Sequence, residues 1–148
     1  MDYCLFLSTV EFDPVSAIIR ARTNCAWSHT GFYRLADKWT FSAMANGGVA
    51  WRPPDPRAKI LVLAVDNVED ALTKAETQAG DGYDFLDILG IALGENWEAE
   101  GRMICDKLVF WAFKEIGYPL LNHTFIPMEH LTPRDVLLSA SVKEYVGT

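Results

Sequence analysis

The chain has 148 residues, half of them hydrophobic and 12% aromatic, and a net charge of −7. That length suits one domain, able to bury roughly 70% of the surface its unfolded chain exposes. The acidic balance, with Lys and Arg scattered rather than clustered, excludes a nucleic-acid partner bound through its phosphates.

Y-C-L-F-L-S (3–8) opens the chain as a buried strand. Asp13-Pro14 starts a helix through Ile18, Ile19 and Arg22, with Asp13 as N-cap and Pro14 in the first turn. S-H-T-G-F-Y-R (28–34) and W-T-F-S-A (39–43) alternate as strands around a turn at Ala36-Asp37-Lys38. Asn46-Gly47-Gly48 turns the chain into V-A-W-R (49–52), a third short strand stopped by Pro53, Pro54 and Pro56. K-I-L-V-L-A-V (59–65) is a continuous apolar strand, covered on both faces.

The pattern then becomes helical. Asp66 or Asn67 caps a helix that Gly80 ends, and Tyr83 to Leu93 forms a second. Cys105 to Ile116 is a third, closed by Gly117 and Pro119, and Thr132-Pro133-Arg134-Asp135 starts a fourth. Val142 to Val146 reads as a last strand. The expectation is one α+β domain over residues 1–148, strands mostly first and helices mostly second.

The N-terminal residues are acidic too early for a signal peptide, and no apolar run approaches the ~18 residues of a membrane span. Cys4, Cys25 and Cys105 form no C-x-x-C pair, so they make a poor disulfide framework and a poor zinc site. The expected compartment is the reducing cytoplasm.

The chemistry converges on R-M-I-C-D-K-L-V-F-W-A-F (102–113). Every residue from Leu108 to Phe113 is apolar, so this helix should be covered nearly all round, with only its start exposed. A cysteine in the first turn meets free backbone N–H groups and the positive end of the helix dipole, which favour the thiolate. Asp106 partly opposes that effect. The competing reading is that Cys105 is a small buried hydrophobe, as most unpaired cysteines are. A thiolate nucleophile needs a base, and the histidines are His29, His123 and His130. His29 lies on a strand with Gly31 two residues on, which permits close backbone approach.

S-H-T-G-F-Y, a turn, and W-T-F-S-A-M-A-N-G-G-V resemble the histidine hairpin of NlpC-type papain-like cysteine hydrolases. The cysteine follows the histidine here. G-D-G-Y-D-F-L-D-I-L-G, Trp97 and R-M-I-C-D-K-L-V therefore resemble the circularly permuted branch, the YiiX-like and LRAT-like proteins. D-P-V-S-A-I-I-R-A-R-T-N-C-A-W-S-H is similar to that branch's N-terminal helix leading into its histidine strand, and the likeness spans roughly residues 3–140. It implies a permuted papain-like fold, an antiparallel sheet packed on a buried helix that bears the nucleophile. It assigns Cys105 as nucleophile and His29 as base. Ser42 falls where the residue that orients the imidazole should be, with Thr40 and Asn46 as fallbacks. Serine brings no charge to stabilise an imidazolium and is a weaker orienter than the family's usual His, Glu or Asn. Tyr83 matches a tyrosine near the reacting carbonyl, and Asp106 stands where serine is common.

The implied activity is thiol-dependent hydrolysis or acyl transfer through an acyl-enzyme, on a peptide, a peptidoglycan fragment or an acyl lipid. An acidic chain is not steered to anionic lipid, which favours an amide bond. The alternative is a binding module on the same fold with catalysis weakened or lost. No metal or cofactor is expected. Cys25 and His29 stand four apart without a third ligand, and Asp81, Asp84, Asp87 and Glu95 lack calcium-loop spacing. The tryptophans are expected mostly in the core.

Overall fold

The computed structural model describes residues 2–10, 27–44, 48–79, 104–120, 136 and 142–146; at 104, 106, 107 and 142–146 only the backbone path is considered. The expected helices at 13–22 and 83–93 lie outside these residues, as does all but Val136 of the expected fourth helix.

The strands are β1 (Tyr3–Thr9), β2 (His29–Arg34), β3 (Thr40–Met44), β4 (Gly48–Arg52), β5 (Lys59–Val65) and β6 (Val142–Val146). They form a six-stranded sheet in the order β4-β3-β2-β1-β5-β6. Every neighbouring pair is antiparallel. Each apolar or alternating run read from the sequence is a strand to within a residue or two. The β2–β3 turn falls as expected, with Lys38 at φ 65° and Arg34 and Asp37 joined across it at 2.6 Å.

Two helices are described, α1 (Val68–Glu76) and α2 (Ile104–Glu115). Asn67 is the N-cap of α1 by position, but its side chain makes no capping bond. Its left-handed backbone, φ 61°, turns the chain into the helix instead, a conformation asparagine tolerates. The helix stops short of Gly80. Thr77 ends it by donating its hydroxyl to the Lys74 carbonyl at 2.6 Å and its N–H to the same oxygen. α2 ends as expected at Gly117, whose φ is +80°. Gly117 N–H donates to Lys114 O and Tyr118 N–H to Phe113 O, each at 3.0 Å, a Schellman closure.

Alternation along the strands gives the sheet two distinct faces. Leu5, Leu7, Phe32, Phe41, Ala43, Val49, Leu63 and Val65 point to one. There they meet Ala71, Leu72 and Ala75 of α1 and Leu108, Val109, Ala112 and Phe113 of α2. Phe113 stacks on Phe32 with ring centroids 6.3 Å apart. Cys4, Phe6, Tyr33 and Val62 point to the opposite face and form a second, smaller cluster. β1 and the end of β5 are thus buried on both faces, as their unbroken apolar sequences require. α2 is buried from Leu108 to Phe113 except at Trp111, which is half-buried. The described tryptophans are less central than expected. Trp27, Trp51 and Trp111 pack on the rim of the core, and Trp39 is 38% exposed beside the β2–β3 turn.

Candidate active site

β2 and β3 pair Phe32 with Phe41 and Tyr33 with Thr40. One step along, this register sets Gly31 against Ser42 and brings the start of β2 beside the middle of β3. His29, Gly31 and Ser42 all sit at positions facing away from the helices, on the Phe6 side. There His29 Nε2 and Ser42 Oγ are 3.0 Å apart. The imidazole lies against the Phe6 ring, centroids 5.6 Å apart. Gly31 makes this closeness possible. A Cβ there would stand 2.8 Å from both the Phe6 ring and Ser42 Cβ, and 2.5 Å from the Phe41 carbonyl oxygen.

Ser42 is 1% exposed. Burial, with the Arg52 guanidinium as a second influence, lowers the His29 pKa from its ordinary 6.5 to about 4. The imidazole is therefore neutral at pH 7. In the tautomer that carries the proton on Nε2, this nitrogen donates to Ser42 Oγ and the lone pair sits on Nδ1; in the other, Ser42 donates to Nε2. Nδ1 has no hydrogen-bond partner among the described residues.

Holding His29 neutral ties stability to pH with a definite sign. Between about 4 and 6.5 the unfolded chain binds a proton at this ring that the folded chain does not. The stability so contributed is complete above 6.5 and is lost as pH falls toward 4, a change of about 3 kcal/mol. Urea unfolding at pH 7.5 and pH 4.5 should therefore show a pH dependence that is smaller by that amount in His29→Gln. Equal pH dependence in the two proteins would mean that the ring is not held neutral in the fold.

Arg52 is a member of this group that the sequence reading passed over. β3 and β4 pair Ser42 with Ala50 and Thr40 with Arg52, so strand alternation puts Arg52 on the face of His29 and Ser42. Its Nη1 donates to the Ser42 carbonyl at 3.1 Å and its Nη2 to the Gly48 carbonyl at 2.7 Å. The signal was present as the last residue of V-A-W-R, legible once that strand is paired in register with W-T-F-S-A. Thr40 is not a partner of the imidazole; its hydroxyl donates to the Arg52 carbonyl at 3.2 Å.

Cys105 is the second residue of α2 and takes no part in a disulfide. It lies in the first turn, where backbone N–H groups lack helical acceptors. One expectation needs correction: this end of α2 is not exposed at the cysteine, which is 2% accessible. Cys105 precedes Leu108 and Val109 by three and four residues, so it continues the buried stripe. α2 packs against β2 and β3, the strands that carry His29 and Ser42. Its body covers their Phe32 and Phe41 side, however, whereas the His29–Ser42 pair projects from the other. The side chain of Asp106 and the whole of Tyr83, Asn46, Cys25, His123, His130 and Trp97 lie outside the described residues.

No protein-family model and no curated protein sequence matches the chain. Among solved structures it is similar to the crystal structure of the metalloprotein YiiX of Escherichia coli O157:H7. The two are 18% identical, with a TM-score of 0.65 over 100% of this chain and 97% of that one. The α+β fold with its antiparallel sheet is therefore YiiX-like. Among the described residues no three His, Cys, Asp or Glu side chains gather as metal ligands would. No helix among them is long and apolar enough to cross a membrane.

Proposed function

We propose that the chain is a thiol-dependent hydrolase or acyl transferase of the circularly permuted, NlpC-type papain-like kind, acting on an amide or peptide bond. The observation that carries this reading is the His29–Ser42 pair. Its imidazole is neutral, anchored through Nε2, and unoccupied at Nδ1 among the described residues, on strands against which the Cys105 helix packs.

In the proposed cycle Nδ1 of His29 takes the Cys105 thiol proton as sulfur attacks the carbonyl carbon. Nε2–H keeps its bond to Ser42, so the ring does not rotate as it becomes charged. The backbone N–H of Cys105 supplies one donor to the developing oxyanion. Tyr83 would lie near the reacting carbonyl. The proton on Nδ1 then passes to the departing amine. In the second half the same nitrogen takes a proton from water, or from another acceptor, as the thioester is cleaved, and returns it to sulfur. Burial, and after it the Arg52 charge, disfavour a charged imidazole at rest. The proton therefore moves during attack rather than beforehand.

Iodoacetamide labelling of Cys4, Cys25 and Cys105, followed by peptide mapping across pH, tests this. Cys105 should label fastest, with a midpoint below ~8.5, and His29→Ala should slow it near neutral pH. A second reading has an observation of its own. Cys105 is buried in the folded chain, as in a fold that keeps its scaffold for binding and has lost the chemistry. A Cys105 that stays unmodified in the folded protein decides for that reading and against the hydrolase.

A further inference from the structure

Arg52 has an unusual setting. Two of its five N–H donors are fixed on the Ser42 and Gly48 carbonyls, which hold the guanidinium rigidly beside the imidazole. It is only half-buried, and burial lowers its pKa. The other described arginines of this sheet and its turns have acidic partners, Arg34 with Asp37 and Arg57 with Asp55. Arg52 has none among the described residues. A positive charge so placed costs the unliganded protein twice: it gives up water without gaining a counter-charge among the described residues, and it opposes protonation of His29. In a chain of net charge −7, the acidic groups that could relieve it are plentiful, yet none of those described is brought to it.

We propose that Arg52 is the recognition residue of a carboxylate subsite next to His29, and that the preferred substrates carry a carboxylate close to the scissile carbonyl. A guanidinium anchored on one side, with no acidic partner among the described residues on the other, presents its remaining donors as a planar fork, which fits a carboxylate better than it fits a neutral amide. Burial is the main cause of the unprotonated imidazole and the Arg52 charge the second; a bound carboxylate offsets that second part, so ligand binding and His29 basicity are linked. The subsite deepens the hydrolase reading by naming its substrate class. Binding itself needs only Arg52 and His29, so it can be measured without the thiol.

NMR titration of the His29 imidazole in the full chain, with the signal assigned by His29→Gln, gives the test. N-acetylglycine should raise the apparent His29 pKa saturably by roughly one unit, and N-acetylglycinamide, its neutral analogue, should not. Arg52→Gln should raise the pKa without ligand and abolish the response; Arg52→Lys keeps the charge and should keep part of it. Cys105→Ala should respond like the wild type, so loss of thiol chemistry and loss of the subsite are told apart. Equal responses to the acid and the amide, or a full response in Arg52→Gln, would overturn the proposal. An inorganic phosphate response as strong as that of N-acetylglycine would overturn the assignment to carboxylate.

Discussion

Mixed with p-nitrophenyl acetate, the protein is expected to release a burst of p-nitrophenolate and to carry an acetyl group on Cys105. This ester has a leaving group that departs without a proton, so it isolates the first half of the proposed cycle. In that half His29 acts only as a base. Cys105→Ala should remove the burst entirely. His29→Ala should slow it by roughly 10²–10⁴-fold, the usual contribution of a positioned general base. Ser42→Ala should cost less, because Ser42 fixes the ring but adds no charge. Acetylation at Cys4 or Cys25, or an undiminished burst in His29→Ala, would show that the chemistry lies elsewhere.

The second large effect concerns stability. Gly31→Ala should destabilise the protein by on the order of 3 kcal/mol or more, although it adds one methyl group. The new Cβ would meet the Phe41 carbonyl oxygen at 2.5 Å and the Phe6 ring and Ser42 Cβ at 2.8 Å each. A flexible side chain could move aside from such a contact, but the Phe41 oxygen belongs to the backbone of the paired strand and cannot yield without opening β2 from β3. Denaturant midpoints measure the effect. A wild-type midpoint would mean that β2 and β3 do not approach as described. The same substitution would press Ser42 away from His29, so any residual folded protein should also lose the imidazole's anchor.

Much of this architecture was legible in the sequence where local physics decides it. The apolar cores of K-I-L-V-L-A-V and Y-C-L-F-L-S match the burial of the end of β5 and of β1 on both faces. The Schellman end of α2 was readable from Gly117. His29 and Ser42 could be linked because they share a hairpin, where the strand period of two sets which side chains share a face. Other features were not readable. Strand order depends on pairings between distant segments, and no local rule inserts β1 between β2 and β5. The same distance separates Cys105 from His29. The helical period of α2 carries the buried stripe back from Leu108 and Val109 to Cys105, although Asp106 and Lys107 interrupt the apolar run between them. Arg52 was passed over because a strand-terminal arginine looks like ordinary solvated charge until its register with β3 is known.

The position of β1 has a consequence for how the molecule is made. Residues 3–9 pair with β2 on one side and β5 on the other, so they form the keystone between a three-stranded hairpin sheet and the β5–β6 pair. As the chain leaves the ribosome, the first strand must wait for residues 29–34 to cover one edge and for residues 59–65 to cover the other. During that interval it exposes Leu5, Phe6 and Leu7 along an unpaired backbone, the kind of segment that invites association between nascent chains. The site residues His29 and Ser42 belong to the sheet portion that closes first, whereas α2 and β6 are synthesised only afterwards.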